Sequence, residues 1–133
     1  MANFTKHLKT GAIVGIFSGA GLFLLQYLKE KEKNPNQRFN WGYFFQALLA
    51  GCAIGAIGGI AADKFEPSSN PNHRGFFHSY TFWILAFVAI YNLCHSRNRN
   101  IILTNLAFIG FVGYSSHLTL DMMTPKSLPI AGF

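Results

Sequence analysis

The sequence predicts an all-α integral membrane protein, a bundle of four transmembrane helices in one domain over residues 1–133, with a polar site at one membrane face. Three observations predict this class. Half of the 133 residues are hydrophobic, only 12% are charged, and 13 are glycine. The apolar residues fall into four runs separated by polar segments. Such a pattern is typical of membrane proteins, in which apolar side chains face lipid and small residues let helices approach closely.

The first two runs each carry a ridge of glycines. We expect the first span over 11–28 and the second over 41–62, with a short polar lead before the first and a charged loop containing Pro35 between them. Glycines recur at intervals of four in both spans, at Gly11, Gly15 and Gly19 and at Gly51, Gly55 and Gly59. Residues four apart share one face of a helix, so the two ridges are predicted to pack against each other.

The last two runs lie on either side of a basic turn. A polar loop over 63–79 precedes the third span, which is short at 80–94, and Ser79 is suited to be the N-cap of its helix. The fourth span is expected over 101–116, with its helix continuing through Asp121. An even number of spans puts the N-terminus, the 63–79 loop and the C-terminus at the same membrane face.

The net charge of +6 comes from Lys and Arg residues that flank the apolar runs. Membrane topology and anionic lipid headgroups explain this placement, so membrane lipids are the expected partners and nucleic acid is not. The basic residues divide almost equally between the two faces, so the positive-inside rule leaves the orientation open. The glycine-rich helix faces also offer surfaces through which a homo-oligomer could form.

Ionisable side chains gather at the face that holds both termini and the 63–79 loop. Apolar chains rarely contain several such groups unless a site requires them. His117 and Asp121 are spaced i, i+4, so on a helix they form either a hydrogen-bonded pair or two ligands of one ion. Asp63 and Glu66 follow the second span, where they either complete a mixed nitrogen and oxygen ligand set or form a polar helix end.

Two histidines and an arginine belong to the loop before the third span. His73 and His78 are five residues apart, and Gly75 permits a sharp turn between them. Arg74 is suited to phosphate or carboxylate, with a side chain that reaches the membrane interface as the alternative. His7, in the polar segment before the first span, is either a further member of the site or a residue of the membrane interface with no role in it. Together these groups predict a site for one or two divalent metal ions, which would generate hydroxide near neutral pH and stabilise charge on a phosphoryl or acyl oxygen.

Two motifs, HRGFFHS at 73–79 and SHLTLDMMTP at 116–125, resemble the YdjM-type family of membrane-bound metal-dependent hydrolases. That family combines an HRGxxHS element with a preceding PDxDH-like element and a following SHxxxDxxTPxG element. It usually also has a histidine before a glycine-containing first helix. Carried over by position, the resemblance implies the metal ligands His7, Asp63, His73, His78, His117 and Asp121. It further implies zinc as the first choice of metal and the inner (plasma) membrane of a bacterium as the location, with a bacterial or phage gene as the source.

The chain departs from this family pattern at two places. Phe65 and Glu66 stand where the family has the second Asp and the His of its PDxDH-like element. Glu66 is therefore expected either to substitute as a ligand or to act as the general base. The glycine that follows Thr-Pro in the family is displaced, because Lys126 and Ser127 follow Pro125.

Two functions of different classes are consistent with these residues. The first is a metal-dependent hydrolase of a phosphoester in a lipid or lipid-linked substrate, similar to zinc-dependent phospholipases C, in which Arg74 steadies the phosphate. The alternative is a non-catalytic oligomeric membrane protein, such as a channel, an effector or a regulatory partner, with a structural metal. Glu66 and Arg74 discriminate between the two, because only the hydrolase requires them. A metal transporter is disfavoured, because the centres of the spans contain no ionisable residue.

Overall fold

The computed structural model describes residues 4–66 and 75–123, and helices account for most of both ranges. They are α1 at Phe4–Lys33, α2 at Trp41–Phe65, α3 at Tyr80–His95 and α4 at Ile101–Met122, with a short 3-10 turn at Phe76–His78. α1, α2 and α4 are long and apolar enough to cross a membrane, and α3 is a shorter apolar helix of 16 residues. At 1.5 Å per residue α3 spans about 24 Å, less than the hydrocarbon thickness of about 30 Å. The predicted all-α membrane bundle is confirmed.

The observed helix boundaries revise the sequence prediction at two places that matter for the site. α1 begins at Phe4, so His7 lies in its first turn rather than in a polar lead. α2 continues to Phe65, so Asp63 lies in its last turn rather than in the following loop. α4 runs through Asp121, as predicted.

Local sequence explains where the helices begin and end. The side chain of Ser79 accepts a hydrogen bond from the backbone N–H of Phe82 at 3.2 Å, so Ser79 caps α3 as predicted. Asn40 and Asn100 cap α2 and α4 in the same way. α1 ends two residues before Pro35, whose ring disfavours a helical conformation in the residue that precedes it.

α1 and α2 pack through their glycine ridges, as the spacing predicts. A Cβ atom placed on Gly15 would lie 2.8 Å from the Cα of Gly55, and one placed on Gly59 would lie 2.6 Å from the carbonyl oxygen of His7. These approaches are too close for any side chain, so the contact requires glycine. Gly113 brings α4 against Gly55 in the same way, a contact that was not predicted from the sequence. The ridges are thus used within one chain, and association of chains stays a prediction.

The interior of the bundle is polar, whereas its exterior is apolar. The largest fully buried side chains are His7, His78, His117, Asp121 and Ser79. Large apolar side chains on the outside are widely exposed, among them Phe17 at 73%, Leu49 at 72% and Ile102 at 71%. Soluble proteins show the reverse order. In a bilayer the exposed apolar side chains meet lipid, and buried ionisable groups mark a functional site.

The antiparallel packing of the helices brings four chain segments together at one end of the bundle. The first turn of α1, the last turns of α2 and α4, and the 3-10 turn before α3 meet there, and we name this region the site end. At the opposite end a cleft is lined by basic side chains that include Lys29, Lys33 and Arg99. The two ends of the bundle therefore differ in chemistry.

We expect Gly55→Ala to destabilise the bundle, because the added methyl group would collide with the backbone of α1 at Gly11 and Gly15. Overpacking of this kind costs about 1–3 kcal/mol of the free energy of unfolding. Gly21→Ala is the matched control, because nothing lies within 4 Å of a Cβ atom at that position. Thermal unfolding followed by circular dichroism in detergent micelles measures both. Equal unfolding temperatures for the two variants would contradict the packing described here.

Candidate metal centre

Four buried side chains converge at the site end. His7 comes from α1, His78 from the 3-10 turn, and His117 and Asp121 from α4. None of these four is more than 1% exposed. The carboxylates of Asp63 and Glu66, from the end of α2, flank the group and keep 16% and 13% of their side chains exposed. We name these six residues the His–carboxylate cluster.

Each imidazole of the cluster is held at Nδ1 by an oxygen atom of α2 or of the residue that ends it. The three contacts are His7 Nδ1 to Asp63 Oδ2 at 3.0 Å, His78 Nδ1 to Glu66 Oε2 at 2.8 Å, and His117 Nδ1 to the carbonyl oxygen of Gly59 at 2.7 Å. A carbonyl oxygen or an ionised carboxylate can only accept, so the ring nitrogen donates. In a neutral ring Nε2 then carries the lone pair. Metal-binding histidines are oriented in this way in other proteins.

The Nε2 atoms of the three rings surround the carboxylate of Asp121. Nε2 of His7 lies 3.6 Å from Oδ1, and Nε2 of His117 and of His78 lie 3.4 Å and 3.7 Å from Oδ2. These separations exceed the 2.7–3.2 Å of a hydrogen bond. Within the described ranges, Nε2 of His7 and Nε2 of His117 are buried and make no hydrogen bond.

The spacing of these atoms suits a cation between them. Zinc binds histidine nitrogen and carboxylate oxygen at about 2.0–2.2 Å with tetrahedral geometry, which separates neighbouring ligand atoms by roughly 3.3–3.6 Å. In each of two overlapping groups, all of the possible ligand atoms lie within 4.8 Å of one another. The groups are His7, Asp63 and His117, and His78, His117 and Asp121. Imidazole and carboxylate ligands suit zinc and other divalent transition metals. The residues present therefore fit a metal ion.

Electrostatics of the cluster also favour positive charge. Burial acts to lower the pKa of His78, but the neighbouring carboxylates of Asp63, Glu66 and Asp121 raise it by more. The pKa of His78 therefore lies above its ordinary value of 6.5. A divalent cation would supply the positive charge that these carboxylates stabilise.

The structure brings together most of the residues singled out from the sequence. Five predicted ligands meet in the cluster, namely His7, Asp63, His78, His117 and Asp121. Glu66 contacts His78 through Nδ1, on the side of the ring remote from Nε2. Phe65, which departs from the family pattern together with Glu66, is 67% exposed and stacks on Phe77 at 5.0 Å. His73 and Arg74 lie outside the described residues.

Two contributors were missed in the sequence. The carbonyl oxygen of Gly59 holds His117, and a backbone atom leaves no residue-type signal. The hydroxyl of Tyr114 donates to the carbonyl oxygen of Phe77 and so ties the turn that carries His78 to α4. Tyr114 is three residues before His117, so the periodicity of α4 places both on one helix face and could have indicated it.

The comparisons with known proteins identify the family. A family model described as "YdjM inner membrane protein" matches residues 16–131 of the chain. This range includes every residue of the cluster except His7. The chain belongs to the YdjM inner membrane protein family. The match and the apolar helices together place it in the inner membrane as an integral protein, as predicted. No curated protein and no solved structure matches the chain.

We expect Tyr114→Phe to lower the free energy of unfolding by about 1–3 kcal/mol, because the carbonyl oxygen of Phe77 loses its donor. Tyr91→Phe is the matched control, because Tyr91 is 55% exposed on α3 and far from the site end. Chemical unfolding in mixed micelles compares the two. A Tyr114→Phe protein as stable as the control would show that this hydrogen bond does not fix the turn.

Proposed function

We propose that the chain is a metal-dependent hydrolase that cleaves a phosphoester of a lipid or lipid-linked substrate at one face of the inner membrane. One observation carries the proposal. Three buried imidazoles direct Nε2 toward one buried carboxylate at 3.4–3.7 Å, while their Nδ1 atoms are engaged on the outside. The separations between these Nε2 atoms and Asp121 are longer than hydrogen bonds, and the arrangement resembles that of metal ligands whose rings are oriented through Nδ1.

In this proposal the ligands are the Nε2 atoms of His7, His78 and His117 and the carboxylate of Asp121. Asp63 acts twice, because its Oδ2 accepts from His7 while its Oδ1 lies 3.6 Å from Nε2 of His78, one of the proposed ligand atoms. His73 is proposed as a further ligand by family resemblance. The site is proposed to hold one or two divalent metal ions, with zinc as the first choice. Bound there, it would supply hydroxide near neutral pH and stabilise charge on a phosphoryl oxygen.

The other residues of the site orient groups and exclude water. Gly59, Asp63 and Glu66 each fix one imidazole in a single tautomer, which keeps the lone pairs on the inside. Ala62, Tyr114 and Leu118 form a buried apolar cluster beside them. In a site shielded in this way, charges interact more strongly than they do in water.

Two further residues are proposed to act beside the metal ligands, one by binding the substrate and one by positioning a ligand ring. Arg74 is proposed to bind the phosphate, because its planar guanidinium presents donors that match two phosphate oxygens. For Glu66 the sequence allowed a ligand or a general base. Its 2.8 Å contact with Nδ1 of His78 supports a third role, in which Glu66 positions that ring.

The substrate class is proposed from where the cluster lies in the bundle. It is formed by the ends of the membrane-crossing helices α1, α2 and α4, so it lies close to the depth of the lipid headgroups. A substrate that carries its phosphoester at the same depth can reach the site laterally from the bilayer. Lipid phosphoesters have this property, and water-soluble phosphoesters do not.

The alternative, a non-catalytic protein with a structural metal, is favoured by one feature. The ligands come from two different helices and a turn, so an ion would clamp α1 and α4 to the segment before α3. Metal content alone would not separate the two functions, since both require it. Hydrolysis of a phosphoester separates them.

We expect purified protein to contain about one or two divalent ions per chain and to hydrolyse the amphiphilic ester hexadecyl p-nitrophenyl phosphate. The double variant His78→Ala with His117→Ala should lose both properties, because two of the ligand nitrogens are removed. His95→Ala is the matched control, because His95 is exposed at the opposite end of the bundle. Plasma mass spectrometry measures the metal. Unchanged metal content in the double variant would end the site proposal, and metal without hydrolysis would favour the structural alternative.

We expect Glu66→Gln to retain metal and most of its activity, because an amide oxygen can still accept a hydrogen bond from Nδ1 of His78. Glu66→Ala should weaken metal affinity by about 10–100-fold, the usual effect of removing a partner that orients a ligand. Glu30→Gln and Glu30→Ala, in the exposed part of α1 at the other end, serve as controls. Metal affinity is measured by competition with a chelating dye. Full metal binding with lost turnover in Glu66→Gln would instead identify Glu66 as the general base.

A further inference from the structure

An apolar groove of about 400 Å³ lies between α2, α3 and α4. Its floor is the contact of α2 with α4, where Gly58 faces the backbone of Gly110. Small side chains leave space within its lining, namely Ala61, Ala86, Ala89 and Ala107. None of the described residues that line it is charged. The groove therefore offers space to an apolar molecule and no partner to a polar one.

The groove exists because α3 stands away from α2. No residue within α3 is buried, and α3 lies against α4 with few backbone contacts to α2. In a bilayer a gap of this kind is filled by hydrocarbon, because lipid tails are as apolar as the side chains that line it. Alanine and glycine on both walls leave this gap open.

One end of the groove lies beside the His–carboxylate cluster. Ala62 and Phe77 line the groove, and the residues that follow them in the chain are Asp63 and His78 of the cluster. The stacked rings of Phe65 and Phe77, 5.0 Å apart, border this end. The groove thus ends next to the group proposed to hold metal, although none of the six cluster residues is part of its lining.

The depth of the groove corresponds to one leaflet of a bilayer. On α2 its lining extends from Ile54 to Phe65, a rise of eleven residues, which is about 16.5 Å along a helix. Half of the hydrocarbon core measures about 15 Å. A lipid of the leaflet at the site end would therefore have its polar group at the cluster when its chain lies along the groove.

We propose that the groove binds one hydrocarbon chain of the substrate, which makes the substrate an amphiphile with a phosphoester at the metal cluster and a long alkyl, acyl or isoprenoid chain between α2 and α3. This inference rests on the proposed hydrolase function and specifies its substrate. The occupant is argued from the position of one end of the groove beside the cluster, from its apolar lining and from its one-leaflet depth. General solvation of this face by bulk lipid is the competing outcome of the test.

The first experiment fills the groove. Ala61→Leu and Ala89→Leu each place a larger side chain in a wall, on α2 and on α3. Ala53→Leu is the matched control, because Ala53 is an exposed residue of α2 that does not line the groove. Metal content equal to that of the unmodified protein verifies that each variant is folded. The substrates are hexadecyl and ethyl p-nitrophenyl phosphate, which share the bond to be cleaved and differ in chain length.

We expect the unmodified protein to prefer the hexadecyl ester, and both groove variants to lower kcat/KM for that ester by about tenfold or more, the scale on which hydrophobic pockets discriminate. Turnover of the ethyl ester should be unchanged in all variants, and Ala53→Leu should change neither. Equal losses on both esters, or no loss on the hexadecyl ester, would overturn the groove proposal. Hydrolysis of neither ester by the unmodified protein would refute the hydrolase instead.

The second experiment does not depend on turnover. A phosphatidic acid with a diazirine in the middle of its acyl chain is photolysed with the protein in nanodiscs, and the labelled peptides are mapped. Labelling concentrated on the segments 82–90 and 107–114, lost in Ala61→Leu and Ala89→Leu and kept in Ala53→Leu, would support a bound chain. Labelling spread evenly over all exposed apolar positions would overturn it.

Discussion

Contact between the glycines of α1 and α2 is the constraint on which the rest of the molecule depends. Gly59 shows why, because it takes part in both packing and chemistry. Its missing side chain leaves room for the carbonyl oxygen of His7, and its own carbonyl oxygen holds the ring of His117. A larger residue would separate the two helices and take His7 away from Asp63, which it now contacts at 3.0 Å. The backbone approach therefore sets the dimensions of the cluster.

The bundle has little else to hold its helices together. Among the described residues the buried hydrophobic side chains are only Ala62, Ile109, Tyr114 and Leu118. Lipid solvates apolar side chains as well as a protein interior does, so apolar burial contributes little to helix association in a bilayer. Close backbone packing and the hydrogen bonds of the cluster take over that role. The chemistry of the site and the cohesion of the fold thus use the same residues.

The sequence revealed the parts of this architecture that are periodic. The apolar runs predicted the helices, and the glycines at intervals of four predicted the α1–α2 contact. The spacing of His117 and Asp121 predicted one side of the cluster. Isolated features carried no such signal. Gly113 has no second glycine at an interval of four, so its contact with α2 could not be read from spacing. Asp63 follows the apolar run, so composition alone predicts that it lies in a loop. Helical hydrogen bonds continue through polar residues, however, and the composition of the chain does not show where they end.

The cluster combines residues of the first helix with residues of the last. His7 is synthesised more than a hundred residues before His117 and Asp121. An incomplete chain, or one whose helices entered the bilayer with the wrong orientation, would leave these side chains apart or on opposite leaflets. Only molecules in which all of these segments had reached the same end of the bundle could then bind an ion there.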